Sequence, residues 1–279
     1  MNVSTKNPAL IAFLIDRSGS MNDKDPESGL RLSEIAANSV NRAMYDLALG
    51  ACTDQSGIRD RVHISVYGYG DRRAPDQVMW AMEGLPESRG WVPADKWVTS
   101  YTRIESQTLY DGQKRYEVET PLYVEPFAQG RTMMANAFRR IGKIAAVHTR
   151  MHPDSPPPIV VNITDGHPHG SWVRLEDAAR EVVGSFGRNG PPVLLNIHLN
   201  PGSDPLILPA CEPDADEDKY AYNMFRVSSL IPEWMKKNAS EQGFKIEKGA
   251  RGLIVNAGED LLHKFLSVGT GITGLTPTE

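Results

Sequence analysis

Seven apolar residues follow one another without interruption at Ala9-Leu10-Ile11-Ala12-Phe13-Leu14-Ile15, and the run ends in Asp16. A strand with one face in water alternates apolar and polar positions, whereas a strand without alternation is covered on both faces. The tract Ile159-Val160-Val161-Asn162-Ile163-Thr164 has the same character and also ends in an aspartate, Asp165. Two strands of this kind demand a parallel sheet with helices packed on either side.

The rest of the chain supplies those helices. Residues 30–49 carry Leu32, Ile35, Ala36, Val40, Ala43, Met44, Leu47 and Ala48 at three- and four-residue steps, the signature of an amphipathic helix. Further helices are expected over 133–148, 172–186, 222–240 and 261–266, and strands over 62–67, 192–199 and 251–256. The tract Ser155-Pro156-Pro157-Pro158 stops the helix before it, since proline cannot continue one. Strands alternating with helices give an α/β fold, a doubly wound, mostly parallel sheet flanked by helices, in one domain spanning 1–279.

The rhythm breaks over 71–129, which reads as an insertion within that domain. Two β-prone runs, 103–110 and 114–124, flank Asp111-Gly112-Gln113, a hairpin signal. The aromatics Trp80, Trp91, Trp97, Tyr101, Tyr110, Tyr116 and Tyr123 are expected mostly to build a small core of the insertion's own. The segment Tyr67-Gly68-Tyr69-Gly70 is a strand end from which the insertion turns out, and the acidic stretch 212–219 is a solvated turn.

Composition narrows the function. The formal net charge of −5 comes with no long Lys/Arg run, which argues against nucleic acid as a partner. No apolar stretch approaches the ~20 residues of a membrane span. Two cysteines far apart, Cys52 and Cys211, fit free buried thiols in a reducing compartment rather than a disulfide framework. Residues 1–14 do not read as a signal peptide, so a cytoplasmic protein is expected.

Three polar clusters fall where ligands bind in an open parallel sheet, at the carboxyl ends of strands. They are Asp16-Arg17-Ser18-Gly19-Ser20, Gly130-Arg131-Thr132 and Thr164-Asp165-Gly166. Asp16 and Asp165 offer carboxylates, and Ser18, Ser20 and Thr132 offer hydroxyls. An all-oxygen set suits a hard cation such as Mg²⁺, with Mn²⁺ and Ca²⁺ as alternatives; the absence of Cys and His from the set disfavours a soft metal. Gly19 is expected to let the first loop bend so that both serines face one point.

The Asp16-x-Ser18-x-Ser20 motif, the threonine loop at Thr132 and the aspartate loop at Asp165, in this order, resemble the von Willebrand factor type A (vWA) family and its metal-ion-dependent adhesion site. The resemblance covers residues 10–199 and extends towards 266. It implies a Rossmann-like fold. Ser18, Ser20 and Thr132 are then direct ligands, and Asp16 and Asp165 act directly or through water. It further implies that the ion keeps one position for an acidic side chain of a protein partner. Stand-alone cytosolic relatives of this kind belong to bacterial stress or defence clusters, tellurite resistance among them, beside protein kinases, phosphatases or AAA+ ATPases. The chain departs from the family pattern at Arg131 and at His167-Pro168-His169. Arg131, His167 and His169 are therefore candidate rim residues that contact the partner. The leading expectation is a Mg²⁺-dependent binding module without catalytic residues. The alternative is a Mg²⁺-dependent hydrolase or phosphoryl-transfer enzyme with His167 as general base.

Overall fold

The computed structural model describes residues 2–74, 76–110, 115–270 and 276–277. Its centre is a seven-stranded sheet. In chain order the strands are β1 (Ala9–Asp16), β2 (Val62–Tyr69), β3 (Val78–Trp80), then β6 (Ile159–Thr164), β7 (Val193–Leu199), β8 (Leu206–Ile207) and β9 (Leu253–Ala257), with a separate hairpin of β4 (Arg103–Tyr110) and β5 (Arg115–Leu122) between β3 and β6. In space the order is β8-β9-β7-β6-β1-β2-β3. The five inner strands are parallel, and the short edge strands β3 and β8 run antiparallel.

The unbroken apolar run of β1 is buried at every position. Alternation splits it between two layers: Ile11, Phe13 and Ile15 point one way and Leu10, Ala12 and Leu14 the other. The first face packs against α1 (Leu32–Gly50), through Ile35, Val40 and Leu47, and against the closing helix α6 (Glu259–Thr270), through Leu262, Phe265 and Leu266. The second face is covered by α2 (Met134–Met151), α3 (Trp172–Val183) and α4 (Lys219–Val227), through Phe138, Ile141, Leu175, Val182 and Met224. The sheet is therefore mostly parallel and helix-flanked, as the sequence led one to expect.

The single helix expected over 222–240 is instead two, α4 and α5 (Glu233–Glu241). Residues between them leave the helical path and join the sheet's rim. Ser229 N–H donates to the Leu194 carbonyl, Ser229 Oγ accepts from Leu194 N–H, and Ile231 N–H donates to the Ala250 carbonyl. Pro232 then opens α5, where its missing N–H costs nothing.

The stretch 71–129 is bound into the main body. It supplies edge strand β3, which pairs with β2. Its returning end is fixed by Asn41 of α1, whose Oδ1 accepts from the backbone N–H of Tyr123 and Val124 at 2.9 Å each and whose Nδ2 donates to the Val124 carbonyl at 3.0 Å. Trp97 and Tyr123 consequently join the core beneath α1, and Trp91 joins the opposite layer, rather than forming a core of their own. Tyr101 is exposed. β4 and β5 pair antiparallel, while the Asp111-Gly112-Gln113 turn and the side chains of Tyr110 and Tyr116 lie outside the described residues. Cys52 is buried but Cys211 is exposed, which corrects the expectation of two buried thiols. Residues 212–218 form a largely exposed turn, and Lys219 already opens α4. No described helix is long and apolar enough to cross a membrane.

Candidate metal centre

The strand order has a consequence for where a ligand can sit. From β1 the chain steps outward through β2 to β3, and from β6 it steps outward the other way through β7 to β9. β1 and β6 are neighbours, so the connections diverge between them and open a crevice at their carboxyl ends. Asp16 ends β1, and Thr164 ends β6 with Asp165 after it.

Register then sets the contacts. Ile15 pairs with Ile163, which brings Asp16 beside Thr164. The Thr164 hydroxyl donates to Asp16 Oδ2 at 2.6 Å, and Ser18 N–H donates to Asp16 Oδ1 at 2.8 Å. Asp16 is fully buried and has both oxygens engaged within the protein. Above it, Ser18 Oγ and Ser20 Oγ lie 3.1 Å apart, Ser20 Oγ lies 3.0 Å from Asp165 Oδ1, and Ser18 Oγ lies 3.4 Å from the same oxygen. The Thr132 hydroxyl borders the group, 3.6 Å from where a side chain on Gly166 would begin, with Ser20 Oγ at 4.0 Å from the same point. All five residues named from the sequence therefore meet at one crevice. Burial falls off from Asp16 through Ser18 and Asp165 to exposed Ser20, so the group opens to the surface.

The loops are laced together by their backbones. Gly130 and Gln129 N–H both donate to the Arg17 carbonyl, Gly19 N–H donates to the Gly130 carbonyl, and Arg17 N–H donates to the Tyr69 carbonyl. Asn22 adds side-chain bonds to the Gly19 and Ala128 carbonyls. Gly19 does not provide the bend: it lies outside the left-handed region, and a Cβ there would meet only the Gly130 carbonyl, at 3.9 Å. The glycines that the geometry requires are Gly130, whose Cβ would fall 1.2 Å from the Gly70 carbonyl oxygen, and Gly70, at φ +97° against the Arg131 backbone. Sequence reading chose the wrong glycine because closeness of backbone to backbone is a tertiary fact.

Helix capping does not account for these polar side chains. Ser18 makes no side-chain cap, and α2 begins with none. α3 is capped by Ser171, which accepts from Arg174 N–H.

The electrostatics are those of an uncompensated acidic crevice. Burial, with the nearby Asp165 charge adding, pushes Asp16 up to about 7 against the bonds from Thr164 and Ser18. Burial also raises Asp165. Arg17, next in sequence, is turned away towards Asp71, 3.7 Å off, and lies over the Phe127 ring. Neither Asp16 nor Asp165 has an ion pair among the described residues. Such a pair of carboxylates is relieved by a cation. Adjacent ligands of an octahedral ion at about 2.1 Å stand roughly 3.0 Å apart. The 3.0–3.4 Å triangle of Ser18, Ser20 and Asp165 oxygens matches one octahedral face. The donor set thus fits Mg²⁺, with Asp16 supplying charge behind Ser18.

The rim residues separate. Arg131 and His169 are exposed and face each other, guanidinium to ring nitrogen at 3.5 Å, while His169 N–H donates to the Thr132 carbonyl at 2.7 Å. His167 is exposed but sits edge-on to Tyr220 and Trp172. His198, which sequence reading passed over, lies behind the aspartate loop against Tyr220, and burial lowers it to about 4. Its position at the carboxyl end of β7, one strand from Asp165, was the available signal.

No family model and no curated protein matches the chain. Among solved structures it is similar to the pilus adhesin SpaC of Lactobacillus rhamnosus GG, with 11% identity, a TM-score of 0.46, and coverage of 95% of this chain and 30% of that one. It is also similar to proximal thread matrix protein 1 of the mussel byssus, with 15% identity, a TM-score of 0.44, and coverage of 98% and 47% respectively. The chain spans less than half the length of either protein.

Proposed function

We propose that this chain is a vWA-like domain that holds Mg²⁺ at the crevice between β1 and β6 and uses the ion to bind an acidic side chain of a partner protein. Ser18, Ser20 and Asp165 hold the ion, Thr132 borders it, and Asp16 supplies charge from beneath. The observation that carries this reading is the triangle of oxygens that the Ser18–Ser20 loop forms with Asp165, with Thr132 at its border, buried Asp16 beneath it and no ion pair to either carboxylate among the described residues.

The ion would contribute a positive charge at a surface-open point, to which a carboxylate is the natural counter-ligand. The chain's own residues do the rest. Asp16 orients Ser18 through its N–H. The laced loops hold the hydroxyls in place before an ion arrives. Arg131 and His169 stand at the rim, where a cationic side chain meets an approaching carboxylate.

Titration calorimetry of chelator-treated protein with Mg²⁺, and paramagnetic resonance with Mn²⁺, test the reading. One ion per chain is expected, with affinity at least tenfold weaker in Asp165→Ala and Ser18→Ala. A glutamate-containing peptide should displace water from bound Mn²⁺. Saturable binding that both variants leave unchanged would overturn the assignment.

A further inference from the structure

A second cluster of metal-ligating side chains lies at the other end of the strands. His63 is the second residue of β2, His148 sits in the last turn of α2, and His152 caps that helix. One ring nitrogen from each lies within 4.8 Å of the others. His63 Nδ1 and His148 Nε2 are 3.1 Å apart, and the ring centroids are separated by 4.8–5.3 Å. His63 and His148 are buried, and His152 is partly open to solvent.

The second nitrogens explain how the rings are set. His63 Nε2 lies 3.3 Å from Asp60 Oδ2, and Asp60 is itself held by the Ala94 N–H at its other oxygen, 2.9 Å away. A proton on His63 Nε2 leaves a lone pair on its Nδ1, the nitrogen that faces the other rings. Imidazoles that bind metal are held in this way, with the far N–H donated to a carboxylate or a backbone carbonyl. Trp91 walls the group, stacked on His63 and edge-on to His148. His148 Nδ1 is buried without a hydrogen-bond partner, and its Nε2 faces His63 Nδ1, where a metal ion would replace the proton the two rings share. Burial holds His148 far below the usual histidine range, which keeps its imidazole neutral.

We infer that His63, His148 and His152 form a Zn²⁺ site, with solvent in the fourth position and Asp60 as the residue that positions His63. Three imidazoles suit zinc and not magnesium. In a tetrahedral site with Zn–N of about 2.05 Å, ligand nitrogens stand about 3.3 Å apart. The His63–His148 pair is already at that separation, and His152, at the non-helical end of α2, is the ring that moves in. Six residue steps along the strand separate His63 from Tyr69, beside Asp16, or roughly 20 Å at about 3.3 Å each. The site is therefore independent of the crevice at Asp165.

The test uses the full chain, stripped with chelator and dialysed, titrated with Zn²⁺ alone and followed by calorimetry, melting temperature and the absorption of tetrahedral Co²⁺. One Zn²⁺ per chain is expected, in the wild type and equally in Asp165→Ala. His152→Gln, at a partly exposed position, should keep the metal-free melting temperature and weaken Zn²⁺ at least a hundredfold. Asp60→Asn should keep the stoichiometry and weaken binding about 10- to 100-fold. The inference is overturned if wild type shows no saturable Zn²⁺ binding, if His152→Gln binds as tightly as wild type, or if Zn²⁺ is lost in Asp165→Ala alone.

Discussion

Asp16 has both carboxylate oxygens engaged by the protein and no positive partner, so without an ion it is a net cost to the fold. Asp16→Asn removes that charge with little change of shape. Metal-free Asp16→Asn is expected to melt higher by roughly 2–4 °C, equivalent to about 1 kcal/mol for a domain of this size. Its melting temperature should no longer respond to Mg²⁺. A lower melting temperature in chelator would mean that the carboxylate stabilises the fold by itself. The two thiols differ as sharply. Cys52 is buried, and its burial pushes it up to about 12, whereas Cys211 is exposed. A thiol reagent should label one cysteine in native protein and both in denaturant, and mass spectrometry should place the native label on Cys211. The five crevice residues were legible in the sequence because each follows a recognisable strand or opens a helix. The histidine trio was legible only in part. His148 and His152, four apart on one helix, are a visible pair, but the third ring comes from a strand 85 residues away, and only folding brings it close.

Among the elements, the loops at the crevice work as a unit because backbone touches backbone. Gly130→Ala would push a methyl into the Gly70 carbonyl, a clash that no side-chain rotation can relieve. Loss of about 3 kcal/mol or more is expected in denaturant titration, within the range reserved for overpacked or strained positions. Gly19→Ala, inside the most recognisable motif, should cost less than about 1 kcal/mol, since its Cβ has room. The reverse ranking would show that the loops are not laced as described. The same contrast separates what sequence could disclose at this scale. β1 and β6 were plain, because an apolar run without alternation has no other place to go. The break between α4 and α5 was signalled by Pro232 but hidden by helical spacing on either side of it. The edge strands β3 and β8 are too short to carry a periodicity, and pairing alone makes them strands.

For the molecule as a whole, the two proposed sites lie at opposite ends of one sheet and share no ligand. Each metal should stabilise by its own binding free energy, about 2.7 kcal/mol at a free concentration 100 times its dissociation constant. Sites this far apart, without common partners, contribute additively within about 0.5 kcal/mol. Mg²⁺ and Zn²⁺ together should therefore raise stability by the sum of their separate effects. Asp165→Ala should abolish only the Mg²⁺ increment and His152→Gln only the Zn²⁺ increment. β1 and β2 run side by side for their full length, with Asp16 at one end and His63 at the other, so only the strands connect the two sites. If the joint increment falls clearly short of the sum, the strands couple the two sites. The ion at one end then alters the geometry at the other, and the sheet becomes the coupling element through which partner binding at the crevice would be read at the histidines.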